Sequence, residues 1–312
     1  MKRYLDFESE VEKIENKINE LDIKEVNYSN EKDKLLIKKN NILTKIYSSL
    51  SPWEKVEVAR HPERPHSIDY INMIFKNIIY LHGDKKYSDD SAIIGCLADL
   101  EGQSVMLIGT EKGNSMDTRI KHNFGMAKPE GYRKSQRLMK IANKFNLPII
   151  TFVDTAGAFP GKDAEERGQS ESIASSILTS LKIESTIISV IIGEGGSGGA
   201  IALATADKVI MLEHSIYSVI SPEGCSSILW RSNDFIKKAS ESLKLTAQDC
   251  LNNNIIDSIV EEVPGGAHRY PKEQAILLKK EIIKNLEDLK YISGDIKKHN
   301  RNEKFINITS DI

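Results

Sequence analysis

Five glycines fall within the seven residues from Gly193 to Gly199, directly after the almost wholly apolar run Ile187 to Ile192. An apolar run of that length, bounded by turn residues, reads as a strand buried on both faces. Glycine suits neither a strand interior nor a helix, because it loses the most conformational freedom on folding. A glycine block there marks a sharp turn or a place where something must approach the backbone. The small-residue stretch Ala200 to Ala206 then reads as a short helix packed close to the strand. The order recurs upstream: the apolar "LPIITFVD" runs into the loop Thr155 to Gly161, and a helix follows from about Ala164 to Leu181. Strand, glycine loop and helix, twice over, confine the chain to an α/β fold with parallel strands covered on both faces.

The remaining elements follow from turn and cap residues. Ile68 to Leu81 reads as a helix. Two strands flank the turn Glu101-Gly102, and Pro129 opens a helix through Phe145 with Leu138, Ile141, Ala142 and Phe145 on one face. "DKVIML" and "SIYSVI" are short strands, and the tail after Pro271 is one or two helices with a polar, frayed end. At the other end Phe7, Val11, Ile14, Ile18 and Leu21 fall at 4-3-4-3 spacing, a narrow seam for another helix. A second helix follows a break at Asn27 to Asn30. This hairpin packs on its own domain or serves as a subunit-contact arm whose loss weakens assembly. Ser51 and Pro52 start the next helix, with Pro62 and Pro65 beyond it. The expected division is a helical arm, 1–50, and one α/β domain, 51–312.

The glycine block fits three chemistries. Gly193, Gly195 and Gly198 match a dinucleotide fingerprint, with Glu213 as the ribose acid, but the following helix is short and the unit is not the first of its kind in the chain. Gly195, Ser197 and Gly199 match a hydrolase elbow, which needs an acid and then a histidine downstream. His214 follows too closely, whereas Asp207 or Asp257 with His268 stays open. In the third reading the backbone acts. Gly198 and Gly199 at a helix N-terminus expose unpaired N–H groups to a ligand oxygen, and the loop Thr155 to Gly161, through Gly157 and Ala158, adds a donor from a second strand end. Two such donors make an oxyanion hole. Tight strand-helix packing alone also explains the glycines.

Longer motifs decide among these. "DTAGAFPGKDAEERGQSESIA", "IIGEGGSGGA", "YSVISPEGCSSILW", "KHNFGMAKPEGYRKSQRLM" and "GGAHR" resemble the carboxyltransferase alpha subunit of bacterial-type, multisubunit acetyl-CoA carboxylase, and the likeness spans nearly the whole chain. The resemblance implies a crotonase-like (ClpP/crotonase) fold, a superhelix of stacked β-β-α turns with an N-terminal helical arm. It implies transfer of a carboxyl group from carboxybiotin, borne by a biotin carboxyl carrier protein, to acetyl-CoA, giving malonyl-CoA. The implied partners are a zinc-ribbon-bearing beta subunit in an alpha2-beta2 assembly, with biotin carboxylase in the wider complex. Gly198 and Gly199 match the glycine pair that stabilises the biotin ureido oxyanion; Gly195, Gly196, Ser197 and Phe159 border the biotin, and Gly157 with Ala158 face them. The sequence departs from the family where "DTPGAYPG" becomes "DTAGAFPG": Phe159 lacks the usual tyrosine hydroxyl, and Ala156 replaces proline. A basic pair is usual before "NFG"; here it is Lys121-His122.

The other features set limits. Arg119, Lys121, Arg133, Lys134, Arg137 and Lys140 form a basic stretch, either a solvated helix face or a guide for an acidic carrier or a CoA phosphate. Glu165 and Glu166 suit a helix start, Arg167 a structural ion pair, and Asp154 hydrogen bonds to loop N–H groups. Cys225 reads as a small packed residue. A net charge of −2 gives no electrostatic argument for nucleic acid or an anionic membrane as the main partner. Cys96, Cys225 and Cys250 have no metal or disulfide spacing, and no apolar span or leader is evident. A soluble cytoplasmic protein without a metal on this chain is expected. A CoA hydrolase, an isomerase, a serine peptidase or a purely structural subunit are the competing classes.

Overall fold

The computed structural model describes residues 4–21 and 28–308. Its eight strands are β1 (Lys76–Tyr80), β2 (Ile93–Leu100), β3 (Gln103–Thr110), β4 (Ile149–Thr155), β5 (Ile187–Gly196), β6 (Lys208–Leu212), β7 (Ile216–Ser218) and β8 (Ser258–Val260). They form one sheet in the order β1-β2-β3-β4-β5-β6-β8, with β7 pairing the far end of β5. The first three run antiparallel, and every pairing from β3 onward is parallel. Every residue of β4 and β5 is buried, as the apolar runs require.

Alternation along the strands divides the core. Ile149, Val153, Ile187 and Ile191 pack against Leu138, Met139 and Ala142 of the helix Pro129–Lys144 and against Ala200 and Leu203 of the helix Ser197–Ala204. Ile150, Phe152, Ile188 and Val190 face Tyr70 and Ile71 of the helix Ser67–Ile74 and Leu278 and Ile282 of the helix Pro271–Leu289. The glycine turn therefore crowns the first side of the sheet, at the carboxyl ends of its central strands.

Most expected elements are in place, and the departures have local causes. Glu101 and Gly102 both have positive φ, which matches a tight hairpin turn to the strand twist. The helix expected over Ile68 to Leu81 ends at Ile74: Phe75 is extended and Asn77 has φ +51, so Lys76 to Tyr80 pairs with β2 as a strand. The helix expected from Ala164 is two, Lys162–Glu166 and Gln169–Lys182, divided at Gly168 with φ +83. Phe145 points outward, 63% exposed. The last expected helices are Pro271–Leu289 and Gly294–Asn307, the second anchored by fully buried Arg301 on Asp207 at 2.8 Å. Of the tail, residues 309–312 lie outside the described part.

The N-terminal helices Ser9–Glu20 and Tyr28–Tyr47 pack on this chain. Asn27, in the expected break, lies outside the described residues; the second helix already includes Tyr28 to Asn30. Val11 packs with Leu43, Tyr47 and Val58, so the seam is closed by the chain itself. Arg269 then reaches Glu8 at 2.7 Å and Glu15 at 3.3 Å, while Tyr47 donates to Glu8 at 2.9 Å. As expected, Ser51 caps the helix Pro52–Ala59, accepting from Glu54 N, whose carboxylate accepts from Ser51 N. Among the described residues no helix is long and apolar enough to cross a membrane.

Candidate functional site

β5 passes into the helix Ser197–Ala204 through Ser197, whose φ of +48 bends the chain sharply. Packing explains most of the glycines around it. A Cβ on Gly193 would lie 2.5 Å from Asp154 Oδ1, one on Gly195 3.0 Å from the Tyr217 ring, and one on Gly196 would collide with the Ala156 carbonyl. One on Gly199 would stand 2.6 Å from the Gly157 carbonyl carbon and 2.9 Å from Ala158 N. Gly195 and Gly196 are thus buried spacers, fixed between Thr155 of β4 and Tyr217 and Ser218 of β7. Gly198 is different. Its nearest neighbour would be an Ile173 methyl at 3.5 Å, an ordinary contact, so its open face is not filled by the protein.

The donors at this turn can be assigned one by one. No side chain caps the helix Ser197–Ala204, so its first-turn N–H groups, those of Gly198 and Gly199 among them, have no intrahelical partner. Across from Gly199, the Gly157 N–H is given to Thr155 Oγ1 at 3.1 Å, and that hydroxyl donates to Gly157 O at 2.8 Å. The Phe159 N–H goes to Ala127 O at 3.0 Å. Ala158 N–H is the loop donor left beside the helix. Gly157 shapes the loop instead of donating from it. The Phe159 ring lies beneath Lys128 Nζ at 4.8 Å, and the same ammonium pairs with Asp163 at 3.2 Å.

Behind the turn, on the other face of the sheet, stands a charged network. Asp154 accepts from Glu194 N at 2.9 Å and from Lys112 at 2.7 Å. Lys112 also meets Glu194 at 3.2 Å, Arg60 bridges Glu194 and Glu223 at 2.7 and 2.6 Å, and Arg64 donates to Ile192 O and pairs with Glu262. Burial pushes the Asp154 carboxyl up, but the Lys112 ammonium outweighs it and holds it below the usual range. A cavity of about 170 Å³ opens against these groups, bordered by Arg60, His66, Lys112 and Arg119. The sequence placed Asp154 against loop N–H groups; the backbone N–H it holds is that of Glu194 in β5, and Lys112 is its ionic partner. Glu194, hidden among glycines, carried no other signal.

The alternative constellations are not assembled. Neither ring nitrogen of His268 has a hydrogen-bond partner; the ring stacks on His61 at 3.9 Å, while Asp207 pairs with Arg301 and Asp257 with Lys304. No relay reaches Ser197, which is exposed. Glu213 accepts from Glu262 N at 3.0 Å, so the acid of the dinucleotide pattern is tied into the backbone. Arg167 pairs with Glu130 at 3.0 Å and Asp163 at 3.3 Å, the structural role expected of it. Glu165 lies in a first helical turn, and Glu166 pairs with Lys162 at 3.4 Å. All three cysteines are buried, and burial pushes the Cys96 and Cys250 thiols up to about 12. Among the described residues no group of three or more His, Cys, Asp or Glu could hold a metal ion.

Known proteins resemble the chain over nearly its whole length. The family described as acetyl co-enzyme A carboxylase carboxyltransferase-like matches residues 4–309. The chain is 54% identical over 306 residues to the acetyl-coenzyme A carboxylase carboxyl transferase subunit alpha of Paramagnetospirillum magneticum, covering 97% of this chain and 96% of that one. It is 51% identical over 311 residues to the protein of the same name from Zymomonas mobilis, covering 99% of each. Among solved structures, transcarboxylase 12S with hydrolysed methylmalonyl-coenzyme A bound superposes with a TM-score of 0.60 at 15% identity, over 76% of this chain and 44% of that one. A Pseudomonas malonate decarboxylase hetero-tetramer in complex with coenzyme A gives 0.55 at 14% identity, over 69% and 86%. At such identities the likeness is one of fold, the crotonase-like α/β fold of carboxyltransferases.

Proposed function

The chain belongs to the acetyl-CoA carboxylase carboxyltransferase family as its alpha subunit, and we propose that its glycine turn is an anion hole for the ureido oxygen of carboxybiotin. The observation that carries this is that the uncapped first-turn N–H groups of Gly198 and Gly199 stand beside Ala158, whose N lies 2.9 Å from where a Cβ on Gly199 would be, while the face of Gly198 is left open. A planar carbonyl oxygen fits such a cradle, because helix N-terminal donors favour the charge that develops on it. Carboxybiotin, when bound, supplies the carboxyl group and, once that is lost, a base for the acetyl methyl proton.

The chain's own residues then have limited tasks. The turn orients the oxygen, Gly198 leaves the approach open, and the Phe159 ring with Lys128 over it borders the entrance. No side-chain base is required of this subunit, in keeping with the missing histidine relay. The acyl thioester is held by a beta subunit bearing a zinc ribbon, in an alpha2-beta2 complex of the cytoplasm that receives its carboxyl group from a biotin carboxyl carrier protein charged by biotin carboxylase. The product is malonyl-CoA.

The test is reconstitution. The purified chain alone, given malonyl-CoA and biocytin, should show no decarboxylation, and addition of the beta subunit should restore it. Turnover by the unpartnered chain, or none by the reconstituted pair, would overturn this reading.

A further inference from the structure

One face of the helix Pro129–Lys144 carries Arg133, Arg137, Lys140 and Lys144 at 4-3-4 spacing, which sets them in a single stripe. Lys85 and Lys86 join it from the loop between β1 and β2, and together with Asp84 they line an open groove of about 450 Å³. Asp84 brings no free charge: it accepts from the backbone of Lys86, Tyr87 and Ser88 and from Arg133 Nε at 2.9 Å. Arg137 is pinned by the carbonyls of Gly83 and His82, at 2.9 and 3.1 Å. Among the described residues, Lys85, Lys86, Arg137, Lys140 and Lys144 have no ion-pair partner. A chain with net charge −2 thus gathers five unneutralised cations in one groove.

Two features identify what such a groove takes. The cations from Arg133 to Lys144 extend over about 16 Å at 1.5 Å per residue, and the four lysines are exposed, which suits a distributed set of carboxylates better than one compact phosphate. The groove also starts at the site. Its helix follows directly on Lys128, which lies over Phe159, and Arg133 donates to Arg167 O at 3.1 Å in the loop segment beyond it. A body seated on the stripe lies over the helix whose start adjoins the Phe159 loop. Resting on the function proposed above, we infer that this groove docks an acidic face of the protein domain that carries the biotin. Long-range attraction there speeds encounter and orients the arm toward Gly198.

The experiment uses the complex of the chain with its beta subunit, carrying K85E/K86E/K140E/K144E, against the unaltered complex. KM for the biotinylated carrier should rise at least about tenfold as rim attraction turns to repulsion, with kcat within about twofold. Free biocytin should turn over as before, and KM for malonyl-CoA should not move. Added salt should raise carrier KM in the unaltered complex and leave the variant nearly flat. An unchanged carrier KM would overturn the inference, as would an equal rise in KM for malonyl-CoA, which would assign the stripe to the phosphates of CoA. An unaltered complex that turns over neither biocytin nor carrier would instead remove the reading on which the inference rests.

Discussion

At the carboxyl ends of β4 and β5 the sheet shows two faces made of opposite materials. The face with the glycine turn has backbone donors, a half-exposed Gly198 and an exposed serine without a partner. The other face, a few ångströms behind it, holds Arg60, Arg64, Lys112, Asp154, Glu194 and Glu262 in mutual ion pairs. Reaction chemistry is usually sought among such charges. Here they are spent on one another and on the backbone: Asp154 fixes Glu194 N, and Arg64 fixes Ile192 O. Under the function proposed above, the chemistry belongs to peptide groups and the ionisable side chains hold β5 in position.

The largest effect expected is on the charged face, and on folding. Arg64 and Glu262 are nearly sealed from solvent, with side chains 1% and 0% exposed. Burial alone would push the Glu262 carboxyl up, yet Arg64 outweighs it and brings it to about 2. Arg64→Met leaves that buried carboxylate with backbone donors from His214 and Ala267 but no paired cation, and should cost about 3–5 kcal/mol, read by urea unfolding. Adding Glu262→Gln should recover much of the loss, since no lone charge remains buried. If Arg64→Met were neutral, the charged face would not brace the turn.

On the glycine face the expected loss is in rate. Gly199→Val sets a branched side chain where even a Cβ would stand 2.6 Å from the Gly157 carbonyl carbon, so the helix and the loop must part and their donors diverge. Loss of such a contact costs on the order of 10²–10³ in kcat. The measurement is biocytin-dependent malonyl-CoA decarboxylation by the reconstituted complex, with the unfolding curve taken alongside. A rate that fell only in proportion to folded protein would remove the contrast between the faces.

What the sequence disclosed follows the same line. The glycine turn was legible because its constraint is local: five small residues after a buried strand allow little else. The Glu101-Gly102 turn and the helix from Pro129 were legible for the same reason. The charged face was not, because Arg60 meets Glu194 across 134 residues, and no local pattern announces such a pair. The closure of the N-terminal seam was hidden likewise, with Arg269 reaching Glu8 from 261 residues away. The strand Lys76 to Tyr80 was missed because pairing with β2, through an irregularity at Asn77, overrides the helical spacing of its neighbours. At the turn itself, composition showed that glycine was needed but not that Thr155 uses up the Gly157 N–H and leaves Ala158 as the free donor.

A smaller effect tests the charged side through pH. His268 stacks on His61, and burial, then His61 and Arg269, press its imidazole down to about 2. It stays neutral in the fold, while the unfolded chain takes up a proton near 6.5. The unfolded state therefore binds more protons below pH 6.5, and stability falls as pH drops below that value. One unit lower, at pH 5.5, the loss should reach about 1.4 kcal/mol, and His268→Phe, which keeps a ring against His61, should abolish this part of the slope. His214, also pressed down by burial, contributes in the same sense in both proteins, so the difference between their slopes isolates His268. Parallel slopes would mean that the stacked pair is charged or hydrated in solution.

The smallest effect expected is the sharpest on mechanism, because it separates backbone from side chain at a single residue. Ser197 lies between the two glycine pairs, exposed, with φ +48 and no histidine bonded to it. A nucleophile in that position would need its hydroxyl, and removing it would cost orders of magnitude. An N–H donor at the same position would not, since alanine keeps the peptide group. Alanine tolerates a positive φ about as poorly as serine, so Ser197→Ala should change stability by only a few tenths of a kcal/mol. It should retain turnover within about twofold, set against the loss on the order of 10²–10³ from Gly199→Val two residues on. A fall of hundredfold in Ser197→Ala, with folding intact, would put a side chain back at the centre of the site. The glycine turn would then be the frame around a nucleophile, and the contrast between the two faces of β5 would no longer divide chemistry from support.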